Sequence, residues 1–192
     1  MNRKNSCDWH GTDELMIKYH DEEWGVPNHD DCKWFEYITL DAFQAGLSWS
    51  IVLKKRENFR KAFDNFDPVR ISKYSQNKID ELIQDAGIIR NKLKINATIS
   101  NALAFLKVQE EFGSFDDYIW RIVNGKPIVN HWKKLSDLPA STPQSDELSI
   151  DLKKRGFKFV GTTICYAFMQ SAGMVNDHLV TCFRYQEIID NI

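Results

Sequence analysis

The amino-acid sequence predicts an all-α protein, and three observations support this fold class. Apolar residues recur at steps of three and four in most segments, which is the spacing of one face of a helix. Glycines, prolines and capping residues separate these segments where helices would begin and end. Convincing strand patterns are few, and we find no internal repeat or low-complexity tract. The longest helical pattern comprises Leu93, Ile95, Ile99, Ala102, Leu103 and Leu106.

Boundary signals place the individual helices along the chain. A short helix or turn precedes Val26-Pro27, because the residue before a proline avoids helical angles. Gly46 can take a positive φ and therefore ends the next helix. Asp67-Pro68 combines a capping acid with a proline at the first helical position. The sequence predicts helices over 33–45, 48–63, 76–85, 91–111, 145–155 and 162–173, and a linker-like stretch with three prolines over 125–143 that runs over the surface.

Length and composition are those of one domain that spans residues 1–192. The chain has 192 residues, of which 43% are hydrophobic and 12% aromatic, enough for a sizeable core. No apolar run approaches the roughly 20 residues that cross a bilayer, and the N-terminus has no apolar signal segment. We therefore expect a cytoplasmic protein with no membrane association. Nothing in the sequence signals assembly, so we expect a monomer, and the net charge of −2 neither supports nor excludes binding to nucleic acid.

Four cysteines are too few for a disulfide scaffold in a chain of this length, so metal ligation or burial is expected. His178 and Cys182 are four residues apart, which would place both on one face of a helical turn as two metal ligands. Cys7 and His20 could complete a Cys2His2 zinc site that ties the chain ends together. The alternative is a pair of incidental buried side chains. Asp177 is either an outer partner of His178 or an acid at a helix start.

Residues 153–164, KKRGFKFVGTTI, look like a helix–hairpin–helix. Gly156 and Gly161 lie in a tight turn between two predicted helices, where glycine lets backbone N–H groups approach a phosphate. Thr162 follows at the start of the second helix. This arrangement would hold a DNA backbone without reading its sequence. The alternative is a plain helical turn with a solvated basic edge. The basic residues nearby are Lys153, Lys154, Arg155 and Lys158, and Lys54, Lys55 and Arg56 could extend the same face.

Residues 35–49 end a helix in a turn that presents an apolar side chain and an indole next to a carboxylate. Leu47 and Trp49 follow Gly46, with Asp41 and Gln44 just before it. Such a turn suits insertion into something flat, whereas the alternative is a buried turn of an ordinary core. Flat rings beside a carboxylate also suit a flat cation such as an alkylated base, although aromatic residues usually form the core. The rings in question are Trp9, Tyr19, Trp24 and Trp49.

Seven segments stand out when the chain is read as a whole. They are CDW (7–9), YHDEEWGVP (19–27), QAGLSW (44–49), LKKREN (53–58), QDAGIIR (84–90), LKKRGFKFVGTTICY (152–166) and NDHLVTC (176–182). Together, and in this order, they resemble the bacterial 3-methyladenine DNA glycosylase I family of the helix–hairpin–helix glycosylase superfamily. The segments cover nearly the whole chain, so the resemblance is far more specific than any single motif.

The resemblance implies an all-α helix–hairpin–helix DNA glycosylase fold, with the motif over about 145–173 and a zinc site that joins the N- and C-terminal segments. It also implies hydrolytic release of 3-methyladenine from alkylated double-stranded DNA, with the free base as product and no lysine nucleophile. The implied site residues are Asp41 as the catalytic carboxylate, Tyr19, Trp49, Trp9, Trp24 and Met16 around the base, Gln44, Gly46, Leu47, Lys158, Gly161 and Thr162 on DNA, and Cys7, His20, His178 and Cys182 on structural Zn²⁺.

Two residues depart from the family pattern. Asp41 stands where the family typically has a glutamate one methylene longer, and Glu36 is no substitute because it lies on a different helical face. Met16 stands where the family often has a tyrosine, so one wall of the pocket would be softer.

Two rival functions remain open: a zinc-stabilised helix–hairpin–helix module that binds DNA without catalysis, and a zinc hydrolase. The hydrolase requires an open position on the metal, which four protein ligands would close.

Overall fold

The computed structural model describes residues 5–192 and is mostly helical, as the sequence predicts. Two short strands, β1 (Ile128–Val129) and β2 (Val175–Asn176), pair in parallel. Three single turns of 3-10 helix lie at Asp64–Phe66, Trp120–Val123 and Leu135–Asp137. The α-helices are α1 (Glu14–Glu22), α2 (Asp31–Gln44), α3 (Trp49–Ala62), α4 (Pro68–Ile71), α5 (Gln76–Gln84), α6 (Lys92–Phe112), α7 (Phe115–Ile119), α8 (Pro143–Lys154), α9 (Thr162–Ser171) and α10 (Phe183–Ile189).

Local capping explains where these helices begin and end. Asp67 accepts hydrogen bonds from the backbone N–H groups of the first turn of α4, and Pro68 occupies the first helical position, as predicted. Gly46 has a φ of +79°, which confirms the predicted end of α2. Helix α8 begins two residues earlier than the sequence predicts, because Thr142 caps it through the backbone N–H of Ser145.

Helix α2 lies at the centre of the molecule and packs against α3, α6 and α9. All its residues from Trp34 to Phe43 are buried, so it has no solvent-facing side over this stretch. A helix that is buried all round belongs to the interior of a fold rather than to its surface. Its C-terminal end therefore carries Asp41 and the following turn on a rigid support.

The stretch 125–143 is more than the surface linker that the sequence predicts. None of its residues is buried, but β1 pairs with β2, with Ile128 opposite Val175 and Val129 opposite Asn176. The carbonyl of Trp132 also accepts a hydrogen bond from the N–H of Val180, at 3.0 Å. Long-range pairing of this kind leaves no periodic signal in the sequence, and it holds the stretch against the C-terminal segment.

The two ends of the described chain meet. The backbone N–H of Phe183, at the start of α10, donates to the carbonyl of Asn5 at 2.9 Å. Gly173 allows the turn after α9 to pass close to the N-terminal segment, because a Cβ there would lie 2.2 Å from the carbonyl carbon of Val26. Within residues 5–192, no helix combines the length and the apolar character required to cross a bilayer.

Candidate functional site

A hollow of about 320 Å³ opens between α1, α2, α3 and α9. It brings together Tyr19, Asp41 and Trp49, three residues that the sequence analysis assigned to one base pocket. Each comes from a different helix: Tyr19 from α1, Asp41 from α2, and Trp49 from the first position of α3. The lining residues are Trp9, Tyr19, Trp24, Asp41, Gln44, Trp49, Leu135, Leu138, Ala167, Gln170 and Ser171.

The aromatic rings of the hollow are arranged edge to face and tilted rather than stacked on one another. The centroids of Tyr19 and Trp49 are 5.2 Å apart at 46°, and those of Trp9 and Trp24 are 5.1 Å apart at 67°. The indole N–H groups of Trp9 and Trp49 are buried without a hydrogen-bond partner among the described residues. A buried donor without a partner is costly, so both groups are available to an acceptor on a ligand.

Asp41 lines this hollow and is only 2% exposed. The hydroxyl of Ser171 on α9 donates to its carboxylate at 3.1 Å. Burial raises the pKa of Asp41 to about 8, although the Ser171 hydrogen bond and the charge of Arg56 oppose this increase. At neutral pH the carboxyl is therefore largely protonated, and a positive charge placed beside it favours the ionised form.

Arg56 lies buried behind the hollow in a network of ion pairs. Its Nε donates to Glu36 at 2.6 Å and its Nη1 to Glu23 at 2.8 Å. Glu36 also accepts from Arg60 through the same oxygen, Oε1, and it does not line the hollow. This position agrees with the expectation that Glu36 is no substitute for the family's glutamate. Burial in this network also means that Arg56 does not extend a DNA-facing surface, contrary to the expectation from the sequence.

The neighbouring lysines of α3 are engaged as well. Lys54 pairs with Asp13 at 2.6 Å, and Lys55 donates to the carbonyl of Ala86 at 2.9 Å. Residues 54–56, which could have extended the basic face of the α8–α9 turn, are therefore each engaged with another group, and Arg56 is buried. Consecutive residues of a helix point in different directions, and here each finds a partner on a different element.

Met16, which the sequence analysis placed beside the base, lies outside the wall of the hollow. It is 8% exposed and belongs to the adjoining apolar cluster that contains Tyr19 and Leu53. Met16 and Tyr19 are three residues apart on α1 and therefore neighbours, but only the tyrosine reaches the hollow.

Five lining residues were not identified from the sequence. Ala167, Gln170 and Ser171 share one face of α9, a spacing that is visible in the sequence but does not reveal what the face contacts. Leu135 and Leu138 come from the irregular 125–143 stretch, where no periodicity could have indicated them. Together they add apolar, amide and hydroxyl groups to the lining of the hollow.

Asp177 has neither of the two roles considered for it. Its carboxylate accepts four hydrogen bonds, none of them from His178, and the residue does not lie at a helix start. One of the four comes from the side-chain amide of Gln170 at 2.8 Å, so Asp177 holds that residue at the wall of the hollow. The donors are Asn130, Trp132, Tyr166 and Gln170.

Cys7, His20, His178 and Cys182 form one buried cluster, whose four potential ligand atoms all lie within 4.8 Å of one another. The Cys182 Sγ lies 3.6 Å from His20 Nε2 and 3.5 Å from His178 Nδ1, and the Cys7 Sγ lies 3.5 Å from His178 Nδ1. In a tetrahedral zinc site, bond lengths of about 2.3 Å to sulfur and 2.0 Å to nitrogen give a sulfur–nitrogen separation of about 3.5 Å. The cluster could therefore hold a metal.

The second nitrogen of each histidine in this cluster is also held in place. His178 Nε2 donates to the carbonyl of Trp24 at 2.9 Å, and His20 Nδ1 lies 2.6 Å from the carboxylate of Asp21. Such outer contacts orient the ring and leave the other nitrogen free for a metal. Gly25 permits this close approach, because a Cβ there would lie 3.2 Å from the His178 ring.

Helices α8 and α9 are joined by the turn of residues 155–161 that the sequence predicts. Gly156 has a φ of +97°, and a Cβ on Gly161 would meet nothing within 4 Å, so the space before α9 is open. Lys158 is exposed beside this space. The hydroxyl of Thr162 donates to Asp146, so only its backbone N–H remains available at the helix start.

Arg155 does not face the open space of this turn. It pairs with Glu111 at 2.7 Å and with Asp151 at 2.9 Å. Its guanidinium also lies over the ring of Phe112, 4.8 Å from the centroid. The basic side chains that remain exposed around the turn are Lys153, Lys154 and Lys158.

The turn between α2 and α3 presents Leu47 at the protein surface. Leu47 is 40% exposed, directly after the positive φ of Gly46 and two residues before Trp49. Gln44, at the end of α2, lines the hollow. The sequence expectation of an apolar side chain displayed next to the ring pocket is therefore compatible with the geometry.

Comparison with known proteins agrees with this arrangement. A sequence model of the family described as methyladenine glycosylase matches residues 9–185. The chain is 54% identical to DNA-3-methyladenine glycosylase 1 of Escherichia coli (strain K12) over 179 residues, which is 93% of this chain and 96% of that protein. It is 50% identical to DNA-3-methyladenine glycosylase of Haemophilus influenzae over 176 residues, covering 92% and 95% of the two chains.

Solved structures give the same result. The crystal structure of a 3-methyladenine DNA glycosylase I superposes with a TM-score of 0.91 at 53% identity, covering 93% of this chain and 98% of that one. The Staphylococcus aureus 3-methyladenine DNA glycosylase I, studied for 3-methyladenine recognition, superposes with a TM-score of 0.90 at 34% identity, covering 93% and 95%. The family match and these identities, each over nine-tenths of the chain, show that this protein belongs to the methyladenine glycosylase family.

Proposed function

We propose that this protein is a monofunctional DNA glycosylase that hydrolyses the N-glycosidic bond of 3-methyladenine in alkylated DNA. The observation that supports this most strongly is the hollow in which Tyr19, Trp49 and Asp41 meet, in a chain that belongs to the methyladenine glycosylase family. Related proteins carry this activity in their names, and the structure of one relative contains 3-methyladenine.

The hollow suits a flat, positively charged purine. Aromatic faces attract a cation, and stacking contributes about 1–3 kcal/mol per base contact. The unpartnered indole N–H groups of Trp9 and Trp49 offer two donors to ring nitrogens. Asp41 accepts a hydrogen bond from the base and ionises beside its charge, and neutral adenine provides no such charge. The charge of the lesion therefore provides the discrimination.

The reaction needs little from the protein beyond extraction and positioning. N3-methylation leaves the base positively charged, so the base departs with the electron pair of the glycosidic bond and becomes neutral 3-methyladenine. Water attacks C1′ and loses its proton to solvent. None of the described side chains that line the hollow is a lysine, which agrees with direct hydrolysis rather than a Schiff base. Everting the base costs a few kcal/mol, least for a damaged pair.

Two elements are proposed to hold the DNA. The α8–α9 turn acts as a helix–hairpin–helix, where the N–H groups at Gly161 and Thr162 bind a phosphate and Lys158 supplies charge. Leu47 enters the gap that the everted base leaves, with Gln44 and Gly46 around it. Helix α9 spans ten residues, about 15 Å, between the phosphate site and Ser171 in the hollow.

We propose structural Zn²⁺ as the metal of the Cys7, His20, His178 and Cys182 cluster. Four protein ligands close the coordination shell, so the metal has no open position for a water, and the zinc hydrolase is disfavoured. Zinc here would join the N-terminal segment to the C-terminal one. Such a link stabilises the wall of the hollow that contains Trp9, two residues after the first ligand.

The remaining assignments follow from the same function. We propose that residues 1–192 act as one domain, as a monomer, on double-stranded DNA that carries alkylated adenine. A protein with this substrate works where bacterial DNA lies, in the cytoplasm.

Incubation with methylated duplex DNA tests the function directly. We expect free 3-methyladenine in the supernatant, measured by chromatography, with the strands left intact. The matched variant Asp41→Asn is expected to bind DNA normally and release little base. Intact DNA binding by the wild type with no base release would instead favour the non-catalytic DNA-binding module.

A further inference from the structure

Lys94, near the start of α6, is a lysine with an interior role. It is only 5% exposed, and it does not line the hollow. Its ammonium group donates to the carbonyl of Phe43 at 2.7 Å and to the carbonyl of Ala45 at 2.6 Å. Both acceptors lie at the C-terminal end of α2, about fifty residues away in sequence.

These two carbonyls are ones that the helix itself leaves unpaired. The last turn of an α-helix has no N–H groups ahead to satisfy its carbonyls, and the helix dipole makes this end negative. A lysine that bonds two of them is therefore a strong cap. The capped residues lead directly into Gly46, with its φ of +79°, and the exposed Leu47.

The same helix also holds the α8–α9 turn. The side chain of Asn101 accepts from the N–H of Lys158 at 2.7 Å and donates to its carbonyl at 3.1 Å. The Lys94 ammonium lies 5.8 Å from the ring centroid of Phe159 in that turn. Lys94 and Asn101 are seven residues apart, two turns along one face of α6.

We propose that α6 sets the spacing between the Leu47 turn and the α8–α9 turn, and that Lys94 is the positioning residue that fixes Leu47 for insertion into DNA. This inference rests on the proposed function, since it assigns a role within the same reaction. Without the lysine, the buried bond to the Phe43 carbonyl and the partly buried bond to the Ala45 carbonyl are both lost, and the turn relaxes. Gln44 and Trp49 adjoin the capped turn, but Tyr19 and Asp41 lie outside it and Ser171 holds Asp41 from α9, so we expect the base pocket to stay formed.

The test compares Lys94→Met with the wild type on two substrates. Met keeps the length and removes both hydrogen bonds. We expect kcat for base release from methylated duplex to fall by about tenfold to a hundredfold, the size of losing bonds to a charged group. Affinity for free 3-methyladenine, read from tryptophan fluorescence, should stay within about twofold, which a merely unfolded variant could not show. Lys107→Met, at an exposed position of the same helix, is the control and should match the wild type.

A double-mutant cycle with Leu47→Ala identifies the route of the effect. If Lys94 acts through Leu47, Lys94→Met has little further effect in the Leu47→Ala background. The inference is overturned if the fold-losses in kcat of the two single variants multiply in the double variant. It is also overturned if Lys94→Met releases base as fast as the wild type, or if its affinity for free 3-methyladenine falls as much as its kcat. If Lys94→Met does not fold, Lys94→Gln retains one donor and is subjected to the same comparison. A wild type that releases no base contradicts the proposed function itself, whereas active wild type with an equally active Lys94→Met contradicts only this inference.

Discussion

Replacing Asp41 by asparagine should stabilise the fold while it removes the proposed activity. The carboxyl is 2% exposed, and burial raises its pKa from the ordinary 3.8 to about 8. Between these two values the folded protein keeps a proton that the unfolded chain has already released. Rising pH therefore favours the unfolded state, and the wild type loses stability over this range. Asparagine does not titrate, so the unfolding free energy of the variant does not fall with rising pH for this reason.

The magnitude follows from the shift in pKa. Each pH unit between the two values is worth about 1.4 kcal/mol. The difference in unfolding free energy between Asp41→Asn and wild type should therefore widen by about 3 kcal/mol from about pH 5 to about pH 7.5, in favour of the variant. Above about pH 8 the folded wild type also ionises, and the difference should level off.

Urea unfolding of both proteins at several pH values measures this difference, and groups common to both cancel. Free 3-methyladenine adds a second readout, since the neutral base can take up the Asp41 proton and bind as a cation beside the carboxylate, which Asp41→Asn does not allow. A difference in unfolding free energy that stays constant from about pH 5 to about pH 8 would refute the argument that Asp41 is buried and protonated.

Three further predictions concern other residues. Trp49→Ala should weaken free 3-methyladenine binding by about tenfold to a hundredfold in a fluorescence or calorimetric titration, from lost stacking, whereas Trp49→Phe should lose only a few-fold through its missing N–H. Cys182→Ser should abolish bound zinc, measured by mass spectrometry of the metal, and lower Tm, whereas Cys32→Ser, at an exposed cysteine, should change neither. Gly173→Ala should destabilise by more than about 3 kcal/mol in chemical denaturation, because its Cβ would lie 2.2 Å from a backbone carbon, whereas Gly125→Ala shares the positive φ without the clash and should lose only about 1 kcal/mol. If a variant and its matched control showed equal effects in any of these three comparisons, the physical reason given for that variant would be contradicted.

Local patterns in the sequence predicted the helices well, since helix boundaries depend on neighbouring residues. Gly46, Asp67 and Pro68 act where they were expected to, because a positive φ, a cap and a fixed φ are properties of one or two residues. The helix over 91–111 is α6, shifted by one residue at each end.

Partnerships between distant residues were harder to predict. The basic run at 54–56 looked like a binding face, but each residue is engaged with a different element. Asp177 looked like a partner of the adjacent histidine, but it instead holds Gln170 at the hollow. Side-chain charge is visible in a sequence, whereas its neutralisation by a group far along the chain is not.

By itself, the sequence determined the all-α class, the membership of the family through segments spread over the chain, and the residue types of the pocket and the metal cluster. Only the tertiary structure decided which of these side chains face one another. It brought Leu135 and Leu138 from an irregular stretch to the hollow and placed Met16 in the adjoining apolar cluster, outside the lining. The physical reason is that periodicity and capping are local, whereas the walls of a cavity come from helices whose packing depends on the whole core.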